Sequence, residues 1–218
     1  STGGSLTISD IDSGEAAYVA QTGSAGSYGT FDVDTAGVWS YVADNSQAAI
    51  QQLAAGATLT DSFIVASQDG SATQTVTVTI TGSNDIPVLG GVITGDVFED
   101  EAVTGGNLTT SGILTIVDTD AGESGFIAQT GTAGSNGYGS FSVNAAGTWT
   151  YVADNSQAAI QNLGAGGTLT DSFDVTSADG TVTQTVTVTI TGSNDIPVLG
   201  GVATGGVTED TAVVGGNL

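Results

Sequence analysis

A proline-containing segment of twelve residues occurs twice and divides the chain into repeats. Residues Thr81–Val92 are identical to Thr191–Val202, 110 positions later, and they contain Pro87 and Pro197, which are the two prolines of the sequence. Proline fixes its own φ and biases the preceding residue towards extended geometry. Each copy follows an alternating Val/Thr stretch, so we interpret it as a joint between consecutive domains of about 110 residues, a usual domain size.

The ends of the chain show where it lies in the repeat. The C-terminal Gly215–Leu218 matches Gly105–Leu108 inside the second copy. Three segments follow from this match: residues 1–85 form most of a first domain that lacks its N-terminal strand, 86–195 form a complete second domain, and 196–218 form the N-terminal strand segment of a further copy. Two arrangements stay open at this point. The chain is one unit of a longer array, or it is a subunit whose residues 196–218 complete a neighbouring copy.

Alternation of apolar and polar residues predicts strands. Thr75–Ile80 alternates with period two, and Asp69-Gly70 before it is typical of a hairpin turn that pairs it with Ser62–Ala66. A second hairpin is predicted around Asp34–Gly37, and one short helix over Asn45–Leu53 with Asn45 as its cap. Short strands with frequent turns predict an all-β chain of tandem antiparallel β-sandwich domains, immunoglobulin-like or cadherin-like, arranged end to end.

The charge balance excludes several functions. The chain has 23 Asp and Glu residues and no Lys, Arg or His. Nucleic acid is therefore an unsuitable partner, because phosphate binding relies on Lys and Arg. The absence of His, Lys and Cys removes the common nucleophiles and general bases, so we predict that the protein is not an enzyme. No apolar run reaches the roughly 20 residues of a membrane span.

Acidic motifs recur in both copies and predict a metal site. Calcium takes about 6–8 oxygen ligands, and Asp-x-Asp in a turn aims two carboxylates at one point. The predicted Ca²⁺ ligands are Asp10, Asp12, Glu15, Asn84, Asp85, Glu99, Asp100, Asp118, Asp120, Glu123, Asn194, Asp195, Glu209 and Asp210. One joint is predicted to gather Asp85, Glu99, Asp100, Asp118 and Asp120. The next is predicted to gather Asp195, Glu209 and Asp210 with Asp10 and Asp12 of the following copy.

The simpler interpretation is that these acids are solvated loop residues. Against it, neighbouring carboxylates in a folded loop repel one another unless a cation is bound, and this chain supplies none. The Asp-Gly pairs at Asp69 and Asp179 are interpreted as turn residues, and the aromatic residues, Trp39 and Trp149 among them, as core rather than as a carbohydrate platform.

Several motifs of the second copy resemble the VCBS repeat family. They are Asp118–Glu123, Gly147–Tyr151, Leu169–Phe173 and the strand with its joint, Val186–Pro197. The resemblance covers essentially the whole chain twice. It implies a bacterial extracellular β-sandwich repeat of large adhesins and biofilm proteins, with cadherin-like calcium use in related repeats.

Two functions follow from these observations. The first is a structural repeat of a bacterial extracellular adhesin or filament, a spacer made rigid by calcium at its joints. The alternative is an adhesion module that binds glycans or cells through its loops. In either case the resemblance implies a location at the cell surface, and the expected partners are neighbouring copies, with residues 196–218 completing the next one.

Overall fold

A computed structural model describes residues 1–208 of the chain; the predicted ligands Glu209 and Asp210, with the rest of 209–218, lie outside the described residues. Strands make up 47% of the described residues and helix 4%. The predicted all-β class with sandwich domains is therefore confirmed.

The first domain is built from two antiparallel sheets. Its elements are β1 Thr2–Ser5, β2 Gln21–Ala25, β3 Gly29–Val33, β4 Val38–Ala43, α1 Ala48–Gln51, β5 Thr58–Ala66 and β6 Thr73–Thr81. One sheet has the order β1-β4-β3-β2, and the other is the β5-β6 pair. Phe31, Tyr41 and Val65 fill the space between them.

The second domain repeats this plan with two additional strands. Its elements are β7 Val88–Gly91, β8 Thr94–Phe98, β9 Asn107–Val117, β10 Gln129–Ala133, β11 Gly139–Val143, β12 Thr148–Asp154, α2 Ala158–Gln161, β13 Thr168–Thr176 and β14 Thr183–Thr191. The sheets are β10-β11-β12-β9-β7 and β13-β14-β8. Strand β7 extends one sheet and β8 extends the other, so the chain crosses between the sheets at Val92 and Ile93.

The β8 strand differs from the other strands in direction. It runs parallel to β14, from the pair Thr94↔Thr187 to the pair Phe98↔Thr191, whereas the other pairings of the described chain are antiparallel. Since β8 ends where β14 ends, the residues after Phe98 lie at the exit end of the domain. The direction of β8 therefore places the acidic pair Glu99 and Asp100 at that end.

Both predicted hairpins are confirmed. Strands β5 and β6 pair along their whole length, from Thr58↔Thr81 to Ala66↔Thr73. Gly70 in the connecting turn has φ of 75°, a left-handed conformation that a Cβ disfavours, which explains the Asp-Gly dipeptide. Strands β3 and β4 pair around Asp34–Gly37 in the same way.

The predicted helix is shorter than its sequence pattern suggested. It covers Ala48–Gln51, and its N-cap is Gln47 in an extended conformation, so the prediction of Asn45 as the cap is wrong. The reason lies one residue earlier, where the Asp44 carboxylate accepts hydrogen bonds from the N–H and hydroxyl of Ser46 and closes a separate turn. No helix in the described part of the chain has the length and apolar character needed to cross a bilayer.

A buried aspartate connects the two sheets in each domain. In the first, the Asp61 carboxylate accepts hydrogen bonds from the N–H groups of Ser27 (2.8 Å) and Tyr28 (2.9 Å) and from the Tyr41 hydroxyl (2.7 Å). Asp171 has the same role in the second domain, and a Cβ at Gly134 would come within 2.1 Å of its carboxylate. The loop before β11 needs glycine there because its backbone must approach the carboxylate closely.

Hydrogen bonding sets the charge of this aspartate. Burial by itself raises the pKa of Asp61, but the hydrogen bonds from the Tyr41 hydroxyl and from the N–H groups of Tyr28 and Ser27 outweigh burial and hold the pKa below its usual value. A pKa lower in the folded than in the unfolded chain means stabilisation at neutral pH. That stabilisation is lost as the pH falls below about 4, the unfolded pKa, and through the folded value.

We predict that Asp61→Asn lowers the unfolding free energy of the first domain by about 2 kcal/mol at pH 7, because an amide cannot accept every bond that the carboxylate accepts. Urea titrations measure the loss, which should shrink at about pH 3 as the parent loses its own ionised carboxylate. The matched control is Asp32→Ser, since Ser142 replaces this aspartate in the second domain and accepts the same loop hydrogen bond there. An equal loss in both variants would contradict the prediction.

Candidate metal centre

Three carboxylates converge in the loop that follows β9. Carboxylate oxygens of Asp118, Asp120 and Glu123, one from each, all lie within 4.8 Å of one another. The loop turns tightly after Val117, with the Asp120 N–H donating to Asp118 Oδ1 (2.9 Å) and the Glu123 N–H approaching the Asp120 carbonyl (3.4 Å). Local turn geometry therefore aims all three side chains at one point.

The linker between the domains closes over this loop. The N–H of Asp85 donates to Asp120 Oδ2 (2.7 Å), and the side-chain amide of Asn84 donates to Asp179 Oδ2 (3.0 Å). A further bond runs from the Ala121 N–H to the carbonyl of Gln52 in the first domain (3.0 Å). The cluster thus lies where the first domain, the linker and the second domain meet.

Part of this carboxylate surface is buried without any hydrogen-bond donor. Asp118 Oδ2, Asp120 Oδ1 and Glu123 Oε2 have no partner within the described part of the chain, and Asp120 is only 2% exposed. Buried polar atoms in folded proteins are nearly always paired, and an unpaired carboxylate oxygen is costly. The arrangement fits a bound cation, which would satisfy all three oxygens together.

The ionisation of the neighbouring groups reflects the concentration of charge. Burial, and then the negative charges of Asp120, Asp118 and Asp179, raise the pKa of Glu123 above its usual value. In contrast, hydrogen bonds from the hydroxyls of Ser177 and Thr181 are the main cause that lowers the pKa of Asp179. Asp179 is therefore firmly ionised and adds to the negative potential around the cluster.

The donor atoms indicate the class of metal. All candidate ligands are carboxylate or amide oxygens, and the chain has no His or Cys to offer nitrogen or sulfur. Hard cations such as Ca²⁺ and Mg²⁺ prefer oxygen, whereas zinc and copper sites are built from imidazole and thiolate. A loop that offers carboxylates from several residues suits the larger and more adaptable coordination of calcium.

Glu99 and Asp100 do not join this cluster, so the predicted grouping of these two residues with Asp85, Asp118 and Asp120 is wrong. The Glu99 N–H donates to the Thr191 carbonyl (2.8 Å), and Glu99 Oε2 accepts from the Ser193 N–H (3.1 Å). These contacts lie at the exit end of β14, whereas Asp118 lies at its start. Nine residues of strand separate the two ends, roughly 27 Å.

Glu99 nevertheless resembles the joint cluster in its environment. Its side chain has no exposed surface, and its Oε1 lacks a partner among residues 1–208. Asp100 beside it has a positive φ of 60° and accepts a hydrogen bond from the Asn155 amide (2.7 Å). Hydrogen bonds from Asn155 and then Gln161 lower the pKa of Asp100.

The equivalent acidic motif of the first domain is open to solvent. Asp10, Glu15 and Asp69 bring carboxylate oxygens within 4.8 Å of one another, but all three residues are exposed. Asp12 is also exposed and donates its N–H to Asp10 Oδ1 (2.9 Å). No linker covers this loop in the described chain, so the difference from the buried cluster comes from the joint and not from the motif.

The second linker is likewise exposed. Asn194 and Asp195 are solvent-accessible, and the Asn194 amide donates to the Asp195 carbonyl (3.0 Å), as the Asn84 amide does to Asp85 (2.7 Å). The Asn-Asp pair therefore makes the same local hydrogen bond in both copies.

Sequence reasoning missed Asp69 and Asp179, which it assigned to turns alone. Both have that turn role, since Asp179 Oδ1 accepts from the N–H of Thr181 (3.2 Å). The available signal was topological, because the β13–β14 hairpin turn and the end of β9 lie at the same edge of the sandwich. That edge became apparent only once the strands were paired.

We predict that Glu123→Gln stabilises the second domain in the presence of a chelator at low ionic strength, because it removes one of several repelling charges. The unfolding free energy measures the effect, which should decrease in about 0.5 M NaCl through screening. Glu15→Gln, in the exposed first-domain cluster, is the control and should have a smaller effect. Destabilisation by Glu123→Gln under these conditions would contradict the prediction.

Solved structures similar to this chain are distant in sequence and in shape. The extracellular domain of protocadherin GammaB4 is 16% identical with a TM-score of 0.39, and the match covers 81% of this chain and 26% of that one. Human protocadherin-24 EC1-2 is 14% identical with a TM-score of 0.36 and 88% of each chain covered. Domains 4 and 5 of the S-layer protein SbsC are 12% identical with a TM-score of 0.33, over 80% of this chain and 70% of that one.

This chain thus spans about a quarter of the protocadherin GammaB4 chain that it matches, 26%. No curated protein sequence matches it significantly. A model of the family described as the bacterial cadherin-like domain matches residues 1–82 and again residues 84–192, one match for each sandwich. The chain therefore belongs to the bacterial cadherin-like domain family.

Proposed function

We propose that this chain is a calcium-stiffened spacer of an extracellular bacterial adhesion protein, of the VCBS type that its motifs resemble. The observation that carries the proposal is the set of buried, unpaired oxygens of Asp118, Asp120 and Glu123 against the linker. Membership of a cadherin-like family supports an adhesion role rather than an enzymatic one.

Calcium bound at the cluster would act on the angle between the domains. Asp118, Asp120 and Glu123 would hold the ion, with Asp85 and Asp179 beside them. Without the ion, the described hydrogen bonds across the joint are few: those to Asp120, Asp179 and Gln52. A joint with few contacts bends easily, because inter-domain motion is the usual behaviour of small polar interfaces. An ion that ties the loop to the linker would make the pair of domains a stiff rod.

Glu99 extends this proposal to the following joint. It is buried beside Ser193, one residue before the second linker pair Asn194 and Asp195. We propose that Glu99 binds a cation together with that linker when a further domain follows. Each domain would then contribute to the joint before it through Asp118 and to the joint after it through Glu99.

The proposed function predicts a calcium-dependent thermal midpoint. A ligand that binds only the folded state at about 100 times its Kd adds about 2.7 kcal/mol, which corresponds to roughly 10 °C or more for a domain of this size. Differential scanning calorimetry with millimolar calcium and then with chelator measures the shift. No shift in the parent chain would contradict calcium binding.

In the same melts, the difference in stability between Glu123→Gln and the parent should change sign when calcium is added. This variant should be more stable than the parent in chelator and less stable in calcium, because the lost charge is repulsive without the ion and a ligand with it. Glu15→Gln is again the matched control. A variant that gains fully from calcium would exclude Glu123 as a ligand and move the site elsewhere.

Stiffening is tested separately from binding by small-angle X-ray scattering. Calcium should narrow the distribution of maximum dimensions of the chain towards that of a straight pair of domains, and Glu123→Gln should leave the distribution broad. Binding without narrowing would support a calcium site but contradict the spacer role.

Glycan recognition, the alternative function, requires exposed aromatic rings or variable loops. In the second domain Trp149, Tyr151 and Phe141 have no exposed surface. They form the core with Phe173, whose ring stacks 4.2 Å from Phe141. These rings cannot contact a sugar, so the observations favour the spacer.

A further inference from the structure

The first domain is open along the side that β7 and β8 cover in the second. There, β7 pairs with Leu114–Val117 of β9, and β8 pairs with β14. The equivalent of Leu114–Val117 is residues 6–9, which have no strand partner in the described chain, and β6 pairs only with β5. Strand β9 continues to Val117, whereas its counterpart β1 ends at Ser5, before the equivalent residues 6–9.

Two cavities occupy the positions of the missing elements. One of about 240 Å³ is lined by Thr7, Ile8, Tyr18 and Val65, next to the segment that has lost its strand partner. The other, of about 150 Å³, is lined by the residues equivalent to those that surround Glu99 and Asp100 in the second domain: Asn45, Gln51, Thr81 and Ser83. In the second domain, the equivalents of Thr81 and Ser83 are Thr191 and Ser193, which form hydrogen bonds with Glu99. The equivalents of Asn45 and Gln51 are Asn155 and Gln161, which form hydrogen bonds with Asp100.

The two equivalent tryptophans differ in burial between the covered second domain and the open first domain. Trp149 has no exposed surface, and its indole N–H donates to the carbonyl of Val92, between β7 and β8 (2.8 Å). Its equivalent Trp39 is only partly buried, and no hydrogen bond to its indole is found among residues 1–208. The core of the first domain therefore lacks the cover that the crossing segment provides in the second.

A segment able to close this face lies at the other end of the chain. Residues 197–207 correspond to 87–97, and their apolar side chains are exposed here: Leu199 is 91% exposed and Val207 is 78% exposed. Their equivalents in the second domain face inward, with Leu89 packed against the core and Val97 only 5% exposed. In sequence, Glu209 and Asp210 follow where Glu99 and Asp100 follow in the second domain.

We propose that residues 197–207 of a second copy of this chain bind the open face of the first domain. Leu199 enters the cavity beside Thr7 and Ile8, and the strand around Val207 adds to the edge of β6 in parallel. Main-chain hydrogen bonds supply the affinity and the inward side chains supply the register, as in other cases of strand addition to a sheet edge. The proposal does not depend on calcium at the joint.

Distance prevents this segment from reaching the open face of its own chain. Leu199 follows Asp195 by four residues, which span at most about 14 Å. Asp195 leaves the exit end of the second domain, whereas the cavity beside Thr7 and Ser9 lies next to Asp10, at the end of the first domain remote from the linker. Two sandwiches whose long strands each measure roughly 27 Å lie between them. The contact is therefore head to tail, and such a contact builds open filaments unless its rotation closes a ring.

The test compares two variants in the exposed segment, where substitution leaves both cores intact. Leu199→Asp/Val207→Asp places charges at the two inward positions, and Val198→Asp is the control, because its equivalent Val88 is 72% exposed in the paired strand. Light scattering across a concentration series should give at least a twofold increase in mass for the parent and for Val198→Asp. The double variant should remain a single chain.

Tryptophan fluorescence then identifies the surface. A synthetic peptide of residues 196–218, added to the double variant, should shift the emission to shorter wavelength as Trp39 becomes buried, and the shift should saturate at one peptide per chain.

Equal assembly of the parent and the double variant, or a peptide that leaves the emission unchanged, would overturn the proposal. So would a parent that stays a single chain at all concentrations. Measurements in chelator and in calcium separate this result from the proposed calcium role, because assembly is expected in both.

Discussion

Negative charge without an internal counter-charge governs this structure. The chain has 23 carboxylates and no basic side chain, so every buried carboxylate must be satisfied by N–H and O–H donors or by a cation from solution. Asp61 and Asp171 follow the first course, with backbone N–H groups and a tyrosine hydroxyl around each. The Asp118 cluster and Glu99 retain buried oxygens that no donor among residues 1–208 reaches. The cluster lies at the joint between the two domains, and Glu99 lies at the exit end of the second domain.

The two near-identical copies allow one motif to be compared in two environments. The acidic loop is exposed at Asp10 and Glu15, but its equivalent is partly buried at Asp118 and Glu123, where the linker lies over it. Pro87 is buried in the formed joint, and Pro197 is exposed in the second linker. The chemistry of the motif is thus unchanged, and the joint changes the candidate site by excluding water and by bringing Asp85 against Asp120.

Local elements were predictable because their signals are local. The hairpins around Gly37 and Gly70 follow from period-two alternation and from glycines with positive φ. The helix cap was not predictable from Asn45, since the hydrogen bonds of Asp44 compete for the same turn. The change of sheet between β7 and β8 was also hidden, because nothing in the residues 88–98 specifies which of two distant strands each half will pair with. That choice depends on contacts made across the whole domain.

What the sequence by itself determined is the repeat, the all-β class, the acidic surface and the set of candidate oxygen ligands, because each of these depends on residue type and short spacing. Only the tertiary structure decided which of these candidates meet. Glu99 lies at the exit end because β8 runs parallel to β14, and Asp179 lies beside the Asp118 cluster because the β13–β14 turn shares an edge with the end of β9. Strand direction and pairing are properties of contacts between residues far apart in the chain. Short sequence spacing carries no record of them.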